Sequence, residues 1–236
     1  TSEDPLPIKT IATIIQHNTS GFVSLKSANI NSVKDFEGKT YAGWGAPSEE
    51  AVIKAVMNEA SADFSKLNIV GSDGSGIAGL SDEVGKNKVN LGWEFYGWAI
   101  IKAMQDGYDL NYMPLADLDS RLDYYTPVII TNNKMIKKNS DTIQKFMEAT
   151  KKGYEYAIDH PSKAAEILHD DALTDTDLKF LKESQKYLSS QYAKDADSWG
   201  VMKDSVWDNY TDFMYETGLI DHKIDAKDQY TNEFVK

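Results

Sequence analysis

The sequence contains no cysteine. Disulfides, zinc–thiolate sites, iron–sulfur clusters and a cysteine nucleophile are therefore excluded, although the compartment stays open. No apolar run approaches the roughly 20 residues needed to span a bilayer. A signal-peptide h-region and an initiating Met are also missing, so Thr1 reads as a processed or trimmed end. Basic residues are outnumbered, 25 Lys and Arg against 37 Asp and Glu, for a net charge of −12. That balance argues against nucleic acid as a partner, because phosphates call for a basic surface. There is no G-x-S-x-G elbow, Walker loop, H-E-x-x-H or EF-hand loop, and hence no positive sign of catalysis. The histidines (His17, His160, His169, His222) show no metal-ligand spacing. No metal or cofactor is expected.

What is present describes a folded protein. The 236 residues, 41% apolar and 11% aromatic, suit one large domain or two lobes of roughly 100 residues. Ile8–Ile15 and Gly21–Leu25 read as strands on their β-branched and apolar content. From about Val33 to Tyr125, strand candidates (Lys39–Gly43, Leu67–Val70, Val89–Trp93, Leu110–Met113) alternate with helical segments (Ser48–Ala60, Tyr96–Met104). Such alternation predicts an α/β fold with a mostly parallel sheet. After the strand Thr126–Thr131 the chain turns helical, with Ser140 as N-cap of a helix to about Ile158. Ile143, Phe146, Met147, Thr150, Tyr154, Ala157 and Ile158 fall on its predicted buried face. Pro161 opens the next helix, and Gly218 ends one lined by Trp207, Tyr210, Phe213 and Met214.

Three segments carry candidate chemistry. In Gly92–Trp98 (GWEFYGW), Trp93, Glu94 and Tyr96 follow a strand, and Trp44 follows another. A facing pair of such rings would hold a flat heterocycle, each stack being worth about 1–3 kcal/mol; core filling is the competing reading. Ser48-Glu49-Glu50 reads as a helix N-cap with two carboxylates in the first turn. Those carboxylates cancel the anion-binding tendency of a helix N-terminus and favour an amine-bearing or neutral ligand, or else they only compensate the dipole. The polar run Gln16–Ser20, with His17 and Asn18, lies between two strands, as a site or as a hydrated turn. Gly74–Gly79 matches G-x-G-x-x-G, but no tight strand-to-helix turn surrounds it, so it reads as a glycine loop over a cleft.

The runs IIQHNTSGFVSLK, SVKDFEGKTYAGWGAPSEEAVIKAVM, LGWEFYGW, YYTPVIITNN and FMYETGLI resemble the pyrimidine-precursor-binding proteins of thiamine salvage. These are solute-binding components of ABC importers. The resemblance implies a bilobal periplasmic-binding-protein-like fold (type II), α/β, with the aminopyrimidine between aromatic rings in an interlobe cleft. It implies Trp44, Trp93 and Tyr96 for stacking, Glu94 or Glu50 for the amine, His17 and Asn18 for polar contacts, and Tyr124 at the hinge. The partners implied are a small pyrimidine and a transporter permease, in an extracytoplasmic, lipid-anchored setting. Residues 1–32 and 126–236 would form lobe 1, and 33–125 lobe 2. Family members begin with a further N-terminal segment, so lobe 1 is expected to be incomplete, with open strand edges that favour self-association and weak binding. Two alternatives are kept: a pyrimidine synthase of the same fold and a sulfonate or small-anion binder. The synthase carries a cysteine-rich run before the return strand, and Leu122–Pro127 has no cysteine. The paired glutamates weigh against an anion.

Overall fold

A computed structural model describes residues 6–235; Thr1 lies outside the described residues. Seven strands follow in chain order: β1 (Ile8–Thr13), β2 (Ser20–Leu25), β3 (Thr40–Gly43), β4 (Asn68–Gly71), β5 (Leu91–Phe95), β6 (Leu110–Pro114) and β7 (Val128–Asn132). They divide between two units. One comprises residues 1–18, 123–216 and 220–236; the other comprises residues 19–122 with Thr217–Leu219.

In the first unit β1 and β7 pair antiparallel, with a register shift between Thr10 and Ala12. The helices Ser140–Asp159, Pro161–Asp171, Leu178–Ser189 and Asp204–Glu216 supply most of the rest. Its core gathers Ile11, Ala12 and Ile15 with Ile143, Met147, Trp199, Phe234 and Val235. Tyr154 stacks on Trp199 at 4.4 Å and 11°, and the Trp199 indole donates to the Ile14 carbonyl at 3.1 Å. Pro161 and Gly218 punctuate the helices where the sequence places them; Gly218 has φ +73. Two details differ. Asn139, not Ser140, is the N-cap, and Phe146 is 58% exposed rather than part of the core. At 100° per residue Phe146 lies a quarter-turn off the line set by Ile143 and Met147, outside the buried stripe.

The second unit holds a five-stranded sheet in the order β4-β3-β5-β2-β6. Only β3–β4 and β3–β5 are parallel; β2 runs antiparallel to both β5 and β6. The expectation of a mostly parallel sheet is thus corrected. Strand β2, assigned from sequence to the first lobe with residues 1–32, sits between β5 and β6, so the chain enters this unit after Asn18. Alternation placed the strands but could not choose their partners, because pairing is non-local.

Phe22 is fully buried and meets Phe36, Tyr41 and Trp93 edge-on, at centroid distances of 5.3, 6.2 and 5.8 Å. Beside it, Gly21 lets β6 approach. A Cβ there would run into the Met113 carbonyl and lie 2.8 Å from the Tyr112 ring. Backbone cannot yield as a flexible side chain does, so Gly21→Ala is expected to destabilise the protein by about 1–3 kcal/mol. Urea denaturation reads this directly, and an unchanged midpoint would contradict the close approach.

Candidate functional site

Strand β3 ends at Gly43, and the chain turns through Trp44-Gly45-Ala46 into the helix Pro47–Glu59. Ala46 is the N-cap and Pro47 the first helical residue, so Ser48 is not the cap that the sequence suggests. Proline is pre-set for that position. The register puts Glu49 at the third helical position, from which a Glu reaches back to the preceding backbone. Its carboxylate accepts the Gly45 N–H at 2.9 Å, the Trp44 N–H at 3.3 Å and the Tyr41 hydroxyl at 2.5 Å. Glu49 is 3% exposed and has no ion-pair partner among the described residues. Burial, and then the bond to Glu49, raise the Tyr41 phenol well above its ordinary range, so it stays a donor. Gly43 is required here, because a Cβ would strike the Glu49 carboxylate. Glu49 therefore organises the loop that carries Trp44. Glu50, one residue on, is exposed and borders a pocket of about 200 Å³ with Gly45, Ala46 and Ile53.

Strand β5 begins at Leu91 and runs to Phe95, so Trp93 and Glu94 lie within it rather than on a loop beyond it. Register pairs Trp93 with Phe22 and Glu94 with Gly21. Successive side chains alternate, so Glu94 leaves the sheet on the face opposite Trp93. A pocket of about 730 Å³ is nonetheless bordered by both residues, together with Trp44, Asp73, Gly76 and Gly79. Such a volume lies within the range of small-molecule sites. Gly76–Gly79 forms a single 3-10 turn with Ile77 buried beneath it, a glycine loop and not a dinucleotide turn. The Glu94 carboxylate is half-buried, and its burial raises its pKa. Among the described residues it has no hydrogen-bond or ion-pair partner, burial being the one cause of its shift, and a Cβ on Gly76 would sit 3.6 Å from it.

Trp44 and Trp93 come together as expected, but not as parallel walls. Their centroids are 5.1 Å apart with planes at 58°, so the rings touch each other and no slot separates them. Trp44 is 60% exposed and offers an open face to a planar group. Tyr96 opens a π-helical turn, Tyr96–Ile100, and packs edge-on against Tyr112 at 5.3 Å; it does not border the pocket. Of the residues singled out in the sequence, Trp44, Trp93 and Glu94 share this pocket.

His17, Asn18 and Tyr124 belong to the first unit, where they meet Asp123. His17 Nδ1 lies 2.6 Å from Asp123 Oδ2, and the Asn18 backbone N–H donates to Asp123 Oδ1 at 2.8 Å. The Asn18 side chain bonds the Tyr124 hydroxyl, whose ring stacks on Tyr210 at 4.2 Å and 29°. Asp123 went unnoticed in the sequence because its partners are 105 and 106 residues away, and no local pattern marks it. No group of three or more metal-ligating side chains occurs among the described residues.

A family model described as NMT1/THI5 like matches residues 1–164, well over half of the chain. The chain belongs to the NMT1/THI5-like family. Within reach of that family, the formylaminopyrimidine-binding protein of Halalkalibacterium halodurans is 23% identical over 209 residues, covering 82% of this chain and 61% of that protein. The riboflavin-binding protein RibY of Chloroflexus aurantiacus is 24% identical over 249 aligned residues, covering 98% of this chain and 65% of that one. The chain thus spans less than two thirds of the length of either relative. A ligand-binding component of an ABC-type import system from Staphylococcus aureus has a TM-score of 0.67 at 12% identity, covering 97% of this chain and 73% of that one. The α/β fold is that of the periplasmic binding proteins, as the sequence runs implied.

Proposed function

We propose that this NMT1/THI5-like protein is an extracytoplasmic solute-binding component of an ABC importer, and that its solute is an aminopyrimidine precursor of thiamine. The observation that carries the proposal is Glu94: a half-buried carboxylate without a hydrogen-bond or ion-pair partner among the described residues, in a pocket bordered by Trp44 and Trp93. Burying a carboxylate unpaired is unfavourable, so the site calls for a donor from outside, an exocyclic amine or a protonated ring nitrogen. The exposed face of Trp44 supplies a stacking platform for the attached ring. A 23% identical relative named for formylaminopyrimidine agrees with this chemistry. A permease would be the partner that accepts the solute. We read the role as binding rather than catalysis, in keeping with relatives named as binding proteins.

Flavin is the second reading, favoured by the relative named for riboflavin and by a pocket of about 730 Å³, roomier than one pyrimidine ring requires. Glu94 and Asp73 outnumber Lys86 at the border of the pocket, a balance that disfavours sulfonates. Thermal shift separates the readings. An aminomethylpyrimidine is expected to raise the melting temperature by several degrees, against no shift with taurine. A shift with riboflavin alone would replace the pyrimidine reading, and a shift with taurine alone would overturn both.

A further inference from the structure

We propose that the helix Ser140–Asp159 pairs antiparallel with the same helix of a second copy of this chain, making the protein a weak homodimer. Neither the solute pocket nor a strand edge takes part. The helix belongs wholly to the first unit and turns Ile143 and Met147 inward to its core. On its outer side Thr142, Phe146, Ala149, Gly153 and Tyr156 recur at alternating spacings of four and three, and all five are exposed. Phe146 is 58% exposed and Tyr156 43%, high values for aromatic rings. At 100° per residue the five fall within a strip about 80° wide. Such spacing is the seam along which two helices pack knobs into holes. Gly153 points the same way. A glycine is unfavourable in a helix interior, yet a Cβ there would meet nothing within 4 Å. Packing within the chain does not call for a glycine at 153, whereas a ring arriving from a second helix does.

Charge selects the occupant and its direction. Lys145, Glu148, Lys152 and Glu155, all exposed, line one flank of the strip. Among the described residues none of the four has an ion-pair partner; Glu148 accepts from the Gln144 amide at 3.1 Å. In an antiparallel pair each flank meets the same flank of the other helix. With the pair centred on Thr150, Lys145 comes opposite Glu155 of the second copy and Glu148 opposite its Lys152. The two-fold axis repeats both contacts, so every facing charge finds its opposite. Phe146 then lies beside Gly153 of the second copy, in the space that a Cβ there would take. A parallel pair would instead set the charged flank against Thr150 and Ala157 and leave its charges unmatched. A single helix pair is at the low end of interface sizes, so assembly is expected at about 0.1–1 mM.

Sedimentation equilibrium of the whole chain from about 0.01 to 1 mM tests the proposal. The wild type should pass from monomer toward dimer across that range. Phe146→Glu should stay monomeric throughout, with an unchanged melting temperature in dilute solution because the ring is exposed in the single chain. Glu148→Lys alone and Lys152→Glu alone should each dimerise about tenfold more weakly or worse, since like charges then face each other. Mixed in equal amounts, these two variants should pair again, because every facing pair is once more of opposite sign. A wild type that remains monomeric overturns the proposal. So does a dimer that Phe146→Glu leaves intact, which would place the contact on another surface, or a mixture no tighter than its separate variants.

Discussion

Glu49→Ala is expected to cost about 2–4 kcal/mol of stability and to release the loop that carries Trp44. The carboxylate accepts three hydrogen bonds, and the phenol of Tyr41 and the amides of Trp44 and Gly45 have no alternative acceptor in that turn. Tyr41 is fully buried, and its phenol is held protonated, so removing Glu49 strands a donor inside the protein at about 1–3 kcal/mol. Glu49→Gln should lose less: its oxygen still receives Tyr41, but its NH2 confronts the Gly45 N–H. Urea denaturation followed by tryptophan fluorescence ranks the variants, and faster hydrogen exchange at Trp44 and Gly45 localises the effect. A Glu49→Ala protein with wild-type midpoint and exchange would show that the turn holds without its carboxylate.

The same residue shows what was legible in the sequence. The pair Glu49-Glu50 was visible, but two adjacent helical residues point about 100° apart, and only the starting register decides which one is buried. Ser48 looked like the cap, which places both glutamates side by side in the first helical turn and does not separate their roles. With Ala46 as the cap, Glu49 falls at the reach-back position and Glu50 faces solvent. Likewise the runs around Ile11, Phe22 and Tyr41 announce strands through local composition. Whether Phe22 sits opposite Trp93 or on another sheet depends on a partner 71 positions away. The Trp93-Glu94 dipeptide was legible as a candidate site because both residue types are costly to leave without purpose. Its geometry was not, since a one-residue shift of β5 exchanges the faces that the two side chains occupy.

Glu94→Gln should abolish most solute binding while making the unliganded protein more stable at neutral pH. Burial raises the Glu94 carboxyl above its unfolded value, so the folded state holds its proton longer than the unfolded state does. Between the unfolded and folded values the native protein binds more protons, and stability falls as pH rises through that window. Gln carries no charge to desolvate, so the advantage of Glu94→Gln over wild type should be absent in acid, grow through the window and level off above it. Binding moves in the opposite sense. A charge-assisted hydrogen bond from an amine to the ionised carboxylate contributes about 1.5–3 kcal/mol, so the amide should bind an aminomethylpyrimidine on the order of 10- to 100-fold more weakly. Trp93→Ala should weaken binding through a different route, by withdrawing the ring against which Trp44 leans at 5.1 Å. Calorimetric titration of the two variants across pH, beside their unfolding curves, tests both halves. Stability gained without affinity lost would place the amine elsewhere. If neither quantity moved, Glu94 would be an ordinary solvated carboxylate, and the pocket would need another anchor.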